Sequence, residues 1–242
     1  MKRLIPALFA LVLLASCNKT DHGDTNLHIT GKVKGLNQGT LYIQKIVDTS
    51  LVALDTIVIN GKSDFESHLK IESPEMLYLF LDRGQTNSVD NNLPFFAEPG
   101  TMTIETNNEE FFSRAKITGS ENHKIYEEYL KMKSRFNNQN LDLLEKNIDA
   151  SKNSNVAQLD SIGKQSDMLT KRRYLYTANF ALNNAKHEIA PYLALSEIYD
   201  MNIKYLDTIR KSMSPKVAKS HYGKMLTKFV EDRKRDDAAM AQ

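Results

Sequence analysis

The stretch Ile117-Thr118-Gly119-Ser120-Glu121-Asn122-His123-Lys124-Ile125-Tyr126 divides this chain of 242 residues into two parts of different character. Before Gly119, short runs of β-branched and aromatic residues alternate with turn signals, which is typical of β-strands. Ser120 is a residue type that caps helices, and Glu121 would lie in the first helical turn. Because strand signals precede helix signals without mixing, we predict an α+β chain.

The part before Gly119 contains several short strand signals at about ten-residue spacing, which favours an antiparallel β-sandwich or an open barrel. Asn60-Gly61 predicts a hairpin between the run that precedes it and the run that begins at Phe65. Glu98-Pro99-Gly100 predicts a further turn. The predicted strands lie near residues 27–33, 40–46, 54–59, 65–71, 76–81, 93–97 and 101–106.

The part after Gly119 predicts about four helices. The first begins after Ser120, and polar residues 137–140 interrupt its apolar face. The second covers about residues 156–187, the third starts with Pro191, and the fourth starts at Ser214-Pro215. The apolar positions of the first helix are Ile125, Tyr129, Met132 and Phe136, continued by Leu141, Leu144 and Ile148.

The N-terminus has the features of a bacterial lipoprotein signal. Lys2 and Arg3 precede an apolar run from Leu4 to Leu14, which is too short to span a bilayer. The small pair Ala15-Ser16 stands directly before Cys17, the only cysteine. We therefore predict that residues 1–16 are a cleaved signal peptide and that Cys17 carries the lipid. The alternative is an ordinary signal peptide with a chance cysteine.

The domains predicted after the cleavage site are a flexible tether at residues 17–26, a β-rich domain at 27–119 and a helical domain at 120–242. The chain has 32 basic and 30 acidic residues. Nucleic-acid binding depends on a clear excess of Lys and Arg, which this chain lacks. For the same reason, no polybasic segment is expected to help bind the membrane. With Cys17 acylated, the chain would hold no thiol for disulfide exchange. No cofactor is expected.

Side chains that could carry catalysis are not arranged in known patterns. The six histidines form neither HxH nor HExxH, so no metal site is expected. Ser120 lacks the GxSxG context of a nucleophile, so we predict no catalytic residue. The remaining enzymatic alternative is a hydrolase that gathers carboxylates from distant strands.

Eight of the ten tyrosines follow Gly119. Tyrosine has an apolar ring and a polar tip, which suits either a helical core or a groove that binds a partner. Both alternatives are open. If a groove exists between sheet and helices, Tyr192 and Tyr199 are its candidate ligand-binding residues.

Several short motifs in the β-rich part occur in a recognisable order. They are Ile29-Thr30-Gly31, Gly39-Thr40-Leu41-Tyr42-Ile43, Leu54-Asp55, Asn60-Gly61-Lys62, Phe95-Phe96-Ala97-Glu98-Pro99-Gly100 and Ile117-Thr118-Gly119-Ser120 with Asn122 and Tyr126. This order resembles the N-terminal domain of Bacteroidetes-type envelope lipoproteins, the domain-of-unknown-function family 4369. Ser63-Asp64 departs from the family pattern, which usually places aromatic residues directly after the Gly-Lys turn.

The resemblance implies where the protein is located in the cell more than what it does. In that family the domain is often followed by a helical segment and a thioredoxin-like domain with a CxxC site. The sequence ends at Gln242, about where such a domain would begin, so we expect a non-catalytic front half. The resemblance implies no known ligand for that half.

The expected function is a non-enzymatic, lipid-anchored envelope protein that binds or scaffolds another envelope component. A thioredoxin-like protein on a separate chain is the candidate partner. The alternative is a glycan- or peptide-binding accessory lipoprotein in nutrient uptake. Asn18 follows Cys17 in place of the Asp that signals inner-membrane retention, and Lys19 and His22 interrupt the acidic residues after it. We therefore expect an outer-membrane protein that faces the periplasm.

Overall fold

The computed structural model describes residues 23–84 and 88–240 of the chain. The predicted signal peptide, Cys17 and residues 17–22 of the predicted tether lie outside the described residues. Within these described residues, eight strands precede six helices, so the α+β prediction is confirmed. The strands are β1 (Leu27–Lys34), β2 (Gln38–Val47), β3 (Ser50–Asn60), β4 (Asp64–Leu69), β5 (Glu75–Asp82), β6 (Asn92–Ala97), β7 (Gly100–Asn107) and β8 (Lys116–Thr118).

The strands form two four-stranded sheets that face each other. Sheet A has the spatial order β4-β1-β7-β8, and sheet B has the order β3-β2-β5-β6. Neighbouring strands are antiparallel except β1 and β7, which run parallel. Among the described strands, no hydrogen-bonded pairing joins the two sheets. They therefore form a sandwich, one of the two predicted architectures, and not a barrel.

Alternate residues of each strand fill the space between the sheets. Ile29 of β1, Leu41 of β2, Leu79 of β5 and Ile104 of β7 are fully buried there. Each such side chain stabilises the fold by roughly 1.5–3 kcal/mol relative to an exposed one. The remaining residues of each strand point away from this core, because successive side chains alternate between the two faces. These outward positions form the outer face of each sheet.

The hairpin predicted at Asn60-Gly61 was wrong in its pairing. The chain does turn there, and Gly61 adopts a φ of +85° that favours glycine. However, β3 pairs with β2 in sheet B, whereas β4 pairs with β1 in sheet A. The connection therefore crosses from one sheet to the other. The hydroxyl of Ser67 on β4 donates to the Asp55 carboxylate on β3 at 2.5 Å and ties the two strands together.

Six helices follow instead of the four that were predicted. They are α1 (Glu121–Lys152), α2 (Val156–Asn183), α3 (Ile189–Glu197), α4 (Ile203–Ser212), α5 (Pro215–Lys219) and α6 (His221–Met240). The sequence analysis missed α4, which begins after Asn202, a cap that accepts from the Lys204 N–H. It also took α5 and α6 as one helix. Pro191 is the third residue of α3 and not its first.

The first helix begins as predicted but packs differently along its length. The Ser120 hydroxyl accepts from the His123 N–H at 2.9 Å, so the predicted cap is confirmed. The helix runs through the polar residues 137–140 without a break. Beyond them, Leu141, Leu144 and Ile148 are exposed, whereas the depression between α1 and α2 is lined by Leu143 and Lys146 of α1. None of the helices within residues 23–84 and 88–240 has the length and apolar character needed to cross a membrane.

Candidate ligand-binding groove

Strand β5, which forms the floor of the site, is apolar on both of its faces. Its sequence between Glu75 and Asp82 is EMLYLFLD. Leu77, Leu79 and Leu81 point into the sandwich core. Met76, Tyr78 and Phe80 therefore belong to the outer face of sheet B. An apolar outer face needs a cover, and the helices cover only part of it.

The covered part of this outer face is an aromatic cluster. Met76 and the fully buried Phe96 of β6 pack against Tyr126 of α1 and Tyr192 of α3. The Tyr192 ring meets Phe96 edge-on at 5.6 Å and lies 5.1 Å from the ring of Tyr222 of α6. Edge-to-face pairs of this kind each contribute about 0.5–1.5 kcal/mol beyond area burial. The cluster joins the sheet to three helices.

A polar network fixes the start of α1 beside this cluster. Glu98, in the turn after β6, accepts hydrogen bonds from the Ser120 hydroxyl, the Asn122 N–H and the Asn122 side-chain amide at 2.9–3.1 Å. A carboxylate is favourable at this position because the N-terminus of a helix carries partial positive charge. The Asn122 side chain also accepts from the Ile189 N–H at 2.9 Å and so positions the start of α3.

Gly119 makes the close approach of α1 to the sheet possible. Its φ is +96°, and a Cβ at this position would lie 2.1 Å from the carbonyl oxygen of Thr101. Any side chain would therefore push α1 away from β7. The motifs at residues 95–100 and 117–122 thus share one structural role, which is to hold the first helix against the sandwich.

His123 is a buried titratable group of this junction. Its Nδ1 accepts from the Phe96 N–H at 3.2 Å, so the ring proton lies on Nε2. Burial lowers the pKa of His123 to about 4, because the charged imidazolium is poorly solvated there. The Glu127 carboxylate lies 3.5 Å from Nε2 at the edge of the site. At neutral pH His123 is therefore uncharged.

The uncovered part of the outer face of sheet B forms two depressions that share Tyr78, and together they are called here the tyrosine groove. The first, of about 450 Å³, lies between the β2–β3 hairpin and the start of α6. Its lining includes the ionisable side chains of Lys45, Asp48, Glu75 and His221 and the rings of Tyr78, Tyr192 and Tyr222. The second, of about 610 Å³, extends along β5 and is lined by Gln44, Leu51, Tyr78, Phe80, Pro94 and Phe112.

Large apolar side chains in and beside the groove are open to solvent. Leu51 is 49% exposed and Phe112 is 46% exposed. Next to them, Ile46 and Val52 of the β2–β3 hairpin are also exposed. Contiguous exposed apolar surface of this kind is typical of an interaction site.

The polar groups of the groove are mostly neutral. Burial raises the pKa of Tyr78 and Tyr222, so both keep their hydroxyl protons at physiological pH. The Tyr222 oxygen accepts from the Met76 N–H at 3.1 Å, which fixes its ring at the rim. Burial also raises the pKa of the Glu75 carboxyl, while Lys45 and His221 act in the opposite direction. The groove therefore offers aromatic rings and hydroxyl groups, with the ionisable side chains of Lys45, Asp48, Glu75 and His221 at one end.

The structure places the predicted site residues differently. Tyr192 lines the groove, as a residue between sheet and helices should. Tyr199 follows the end of α3, is 56% exposed and is not among the lining residues. Tyr78, Phe80 and Phe112 were not predicted as site residues, because they lie outside the tyrosine-rich part that follows Gly119. The signal that could have identified them is the apolar character of both faces of β5.

A second cluster lies on the outer face of sheet A. The six histidines are separated in the sequence, yet His28 and His68 meet in the fold. Their rings are stacked with centroids 4.3 Å apart, and both lie against Glu66. No motif reveals this pair, because it arises from the register between β1 and β4.

The geometry agrees with one finding from comparison with known proteins. Residues 27–126 match the family model described as a domain of unknown function, DUF4369. The matched range runs from the start of β1 into α1 and so includes Glu98, Ser120 and Asn122 of the junction. Searches of curated proteins and of solved structures returned no match. Residues 27–126 of this chain are therefore a DUF4369 domain.

Proposed function

We propose that this protein is a non-enzymatic, lipid-anchored component of the cell envelope that binds another envelope protein in the tyrosine groove. Cys17 would carry the lipid, and the anchored protein would face the periplasm from the outer membrane. The candidate partner is a thioredoxin-like protein supplied by a separate chain.

This proposal rests on one observation, which is that the helices cover only part of the apolar outer face of sheet B. The helices bury Met76 and Phe96 but leave Tyr78 and Phe80 along the groove. Tyrosine and phenylalanine are enriched in the cores of protein interfaces, where their rings provide large contact area at low entropic cost. Leu51 and Phe112 at the rim would lose their solvent exposure on binding.

An extended polypeptide segment is the occupant that fits best. The second depression follows β5 lengthwise, and the groove has hydroxyl and amide groups that can pair with peptide N–H and C=O groups. Lys45 and Glu75 put both charge signs at one end of the groove, which disfavours a polyanion or a polycation.

Binding of a glycan is the second candidate, and one observation favours it. In the second depression, Gln44 and Asn92 place side-chain amides beside Tyr78 and Phe80. Amides can hydrogen-bond sugar hydroxyls while aromatic rings provide an apolar contact surface. The two occupants share this chemistry, so the experiment has to separate them.

Photo-crosslinking in living cells tests the binding proposal. A photoreactive amino acid replaces Phe80 in one strain and Glu105, an exposed residue on the outer face of sheet A, in the control strain. We expect the Phe80 strain to form adducts that map to one contiguous segment of one envelope protein, with the control giving none. Carbohydrate adducts at Phe80 would support the glycan alternative. Equal adducts at both positions, or none at Phe80, would contradict both.

The anchor requires its own measurement. We expect the native protein to partition into membranes with an intact mass that starts at an acylated Cys17. The Cys17→Ala variant should lose both properties. A soluble native protein with a free Cys17 thiol would contradict the anchor without bearing on the groove.

A further inference from the structure

The antiparallel register of β1 and β4 brings two distant histidines together. His28 of β1 lies directly opposite His68 of β4, and Thr30 lies opposite Glu66. Side chains that face each other in this way share one face of the sheet. Because Ile29, Phe65 and Leu69 point into the core, His28, Glu66 and His68 belong to the outer face of sheet A.

The three side chains converge on one point. The Nε2 atom of His28 lies 2.6 Å from Glu66 Oε1, and the Nε2 atom of His68 lies 2.9 Å from the same oxygen. The two imidazole planes are almost parallel, with an angle of 6° between them. One ligand atom from each residue can be chosen so that all three lie within 4.8 Å of one another.

We propose that His28, Glu66 and His68 form a binding site for a divalent transition-metal ion of the zinc class on the outer face of sheet A. Two imidazole nitrogens and one carboxylate oxygen are a ligand set that zinc accepts in proteins. Neighbouring ligand atoms around a tetrahedral zinc ion are about 3.3 Å apart, given bonds of about 2.0–2.1 Å. Because each nitrogen lone pair lies in its ring plane and the two planes are almost parallel, the rings would have to rotate, and their protons move to Nδ1, for both Nε2 atoms to bind one ion.

The chemistry of the three side chains suits a cation. Two imidazoles and one carboxylate carry a single negative charge when both rings are neutral, which suits a divalent cation better than an anion.

The site is open to solvent on one side. The side chains of His28, Glu66 and His68 are 35%, 57% and 20% exposed. The described part of the chain supplies three ligands, so the remaining coordination positions would be taken by water or by a group from a partner molecule. Exposure also means that the ion should exchange readily. The tyrosine groove lies on the other sheet, so this inference does not depend on the proposed function.

Zinc titration of the full-length protein by calorimetry tests the assignment. We expect one zinc ion per chain, and we expect His28→Ala, His68→Ala and Glu66→Gln each to weaken binding roughly tenfold or more. His187→Ala is the matched control, since it removes a partly exposed histidine of the helical part. Magnesium should not bind, because it prefers oxygen ligands.

A second readout separates loss of binding from loss of folding. Cobalt, which substitutes for zinc, should give the visible absorption bands of a low-coordinate site with nitrogen ligands. These bands should vanish in His28→Gln, and circular dichroism should show that this variant is folded. Binding that is equally strong in the His28→Ala and His187→Ala variants would overturn the proposal. So would the absence of any stoichiometric zinc binding.

Discussion

The outer faces of the two sheets contrast sharply, although the inner faces of both are apolar. The outer face of sheet A carries threonines, charged side chains and the histidine pair, as in the run His28, Thr30 and Lys32 of β1. The outer face of sheet B carries Met76, Tyr78 and Phe80 in the equivalent positions of β5. The sandwich core accounts for the inward residues of both sheets alike. What each face does is therefore decided by the outward residues.

The apolar outer face of sheet B, unlike that of sheet A, requires a cover of helices or of a binding partner. Phe96 lies under the helices, while Leu51 and Phe112 lie open beside them. Sheet A has no such need, because its outward side chains are mostly polar or charged. If this comparison is right, substitutions on the outer face of sheet B should affect stability where it is covered and binding where it is open.

Removal of the largest covered ring should have the largest effect. Phe96→Ala deletes a fully buried side chain from the junction cluster and leaves a cavity. We expect the free energy of unfolding to fall by about 3–5 kcal/mol. Thr118→Ala, at an exposed position on the outer face of sheet A, should change it by less than about 1 kcal/mol. Chemical denaturation compares the two, and equal losses would show that the helices do not cover sheet B.

The pH dependence of stability reports on the same junction. His123 has a pKa near 4 in the folded state, against 6.5 ordinarily. As the pH falls from about 6.5 to about 4, the unfolded chain takes up a proton that the folded protein does not. Stability should therefore fall across this window, by up to about 3 kcal/mol from this group.

A matched pair of variants isolates the contribution of His123. His123→Asn keeps an acceptor near the Phe96 N–H but removes the titration, so its stability should depend less on pH between 6.5 and 4. His187→Asn should retain the native dependence. Denaturation midpoints measured at several pH values make the comparison. An unchanged slope in the His123→Asn variant would contradict the burial argument.

The Tyr222 hydroxyl group, at the edge of the helices that cover sheet B, is expected to make a moderate contribution to stability. Tyr222→Phe keeps the ring among Phe96 and Tyr192 but leaves the Met76 N–H without its acceptor. We expect a loss of about 1–2 kcal/mol in the free energy of unfolding. Tyr205→Phe, in a half-exposed tyrosine of α4, should be close to neutral and serves as the control. A neutral Tyr222→Phe variant would mean that water replaces the hydroxyl.

The open part of the face should show the smallest effect on stability and a clear effect on binding. Leu51→Ala removes a half-exposed side chain, so unfolding should change by less than about 0.5 kcal/mol. The same change should reduce the yield of adducts from a photoreactive residue at position 80. Loss of stability without loss of adducts would assign Leu51 to the fold and not to the groove.

Local sequence signals predicted much of this fold. The change at Gly119, the Ser120 cap and the Ser214 cap all depend on a few neighbouring residues, and each was found where expected. The third and fourth helices were less well predicted. The Asn202 cap was overlooked, and residues 215–240 lack a strong break between α5 and α6.

Long-range pairing was the part that sequence could not supply. A turn at Asn60-Gly61 is visible locally, but nothing local tells that β3 and β4 belong to different sheets. The meeting of His28 and His68 has the same origin, since it depends on the register of two strands far apart in sequence. The groove is an intermediate case, because the two-sided apolar pattern of β5 indicates that an outer cover exists without showing which helices provide it.

The most direct test of the contrast between the two faces is oxidative footprinting of the protein in intact envelopes and after purification. The account predicts that Leu51, Phe80 and Phe112 are oxidised readily in the purified protein and are protected in the envelope. Tyr199 and Tyr205, which are exposed outside the groove, should react similarly in both states. Equal oxidation of the groove residues in both states would contradict the claim that the open face of sheet B is a binding surface.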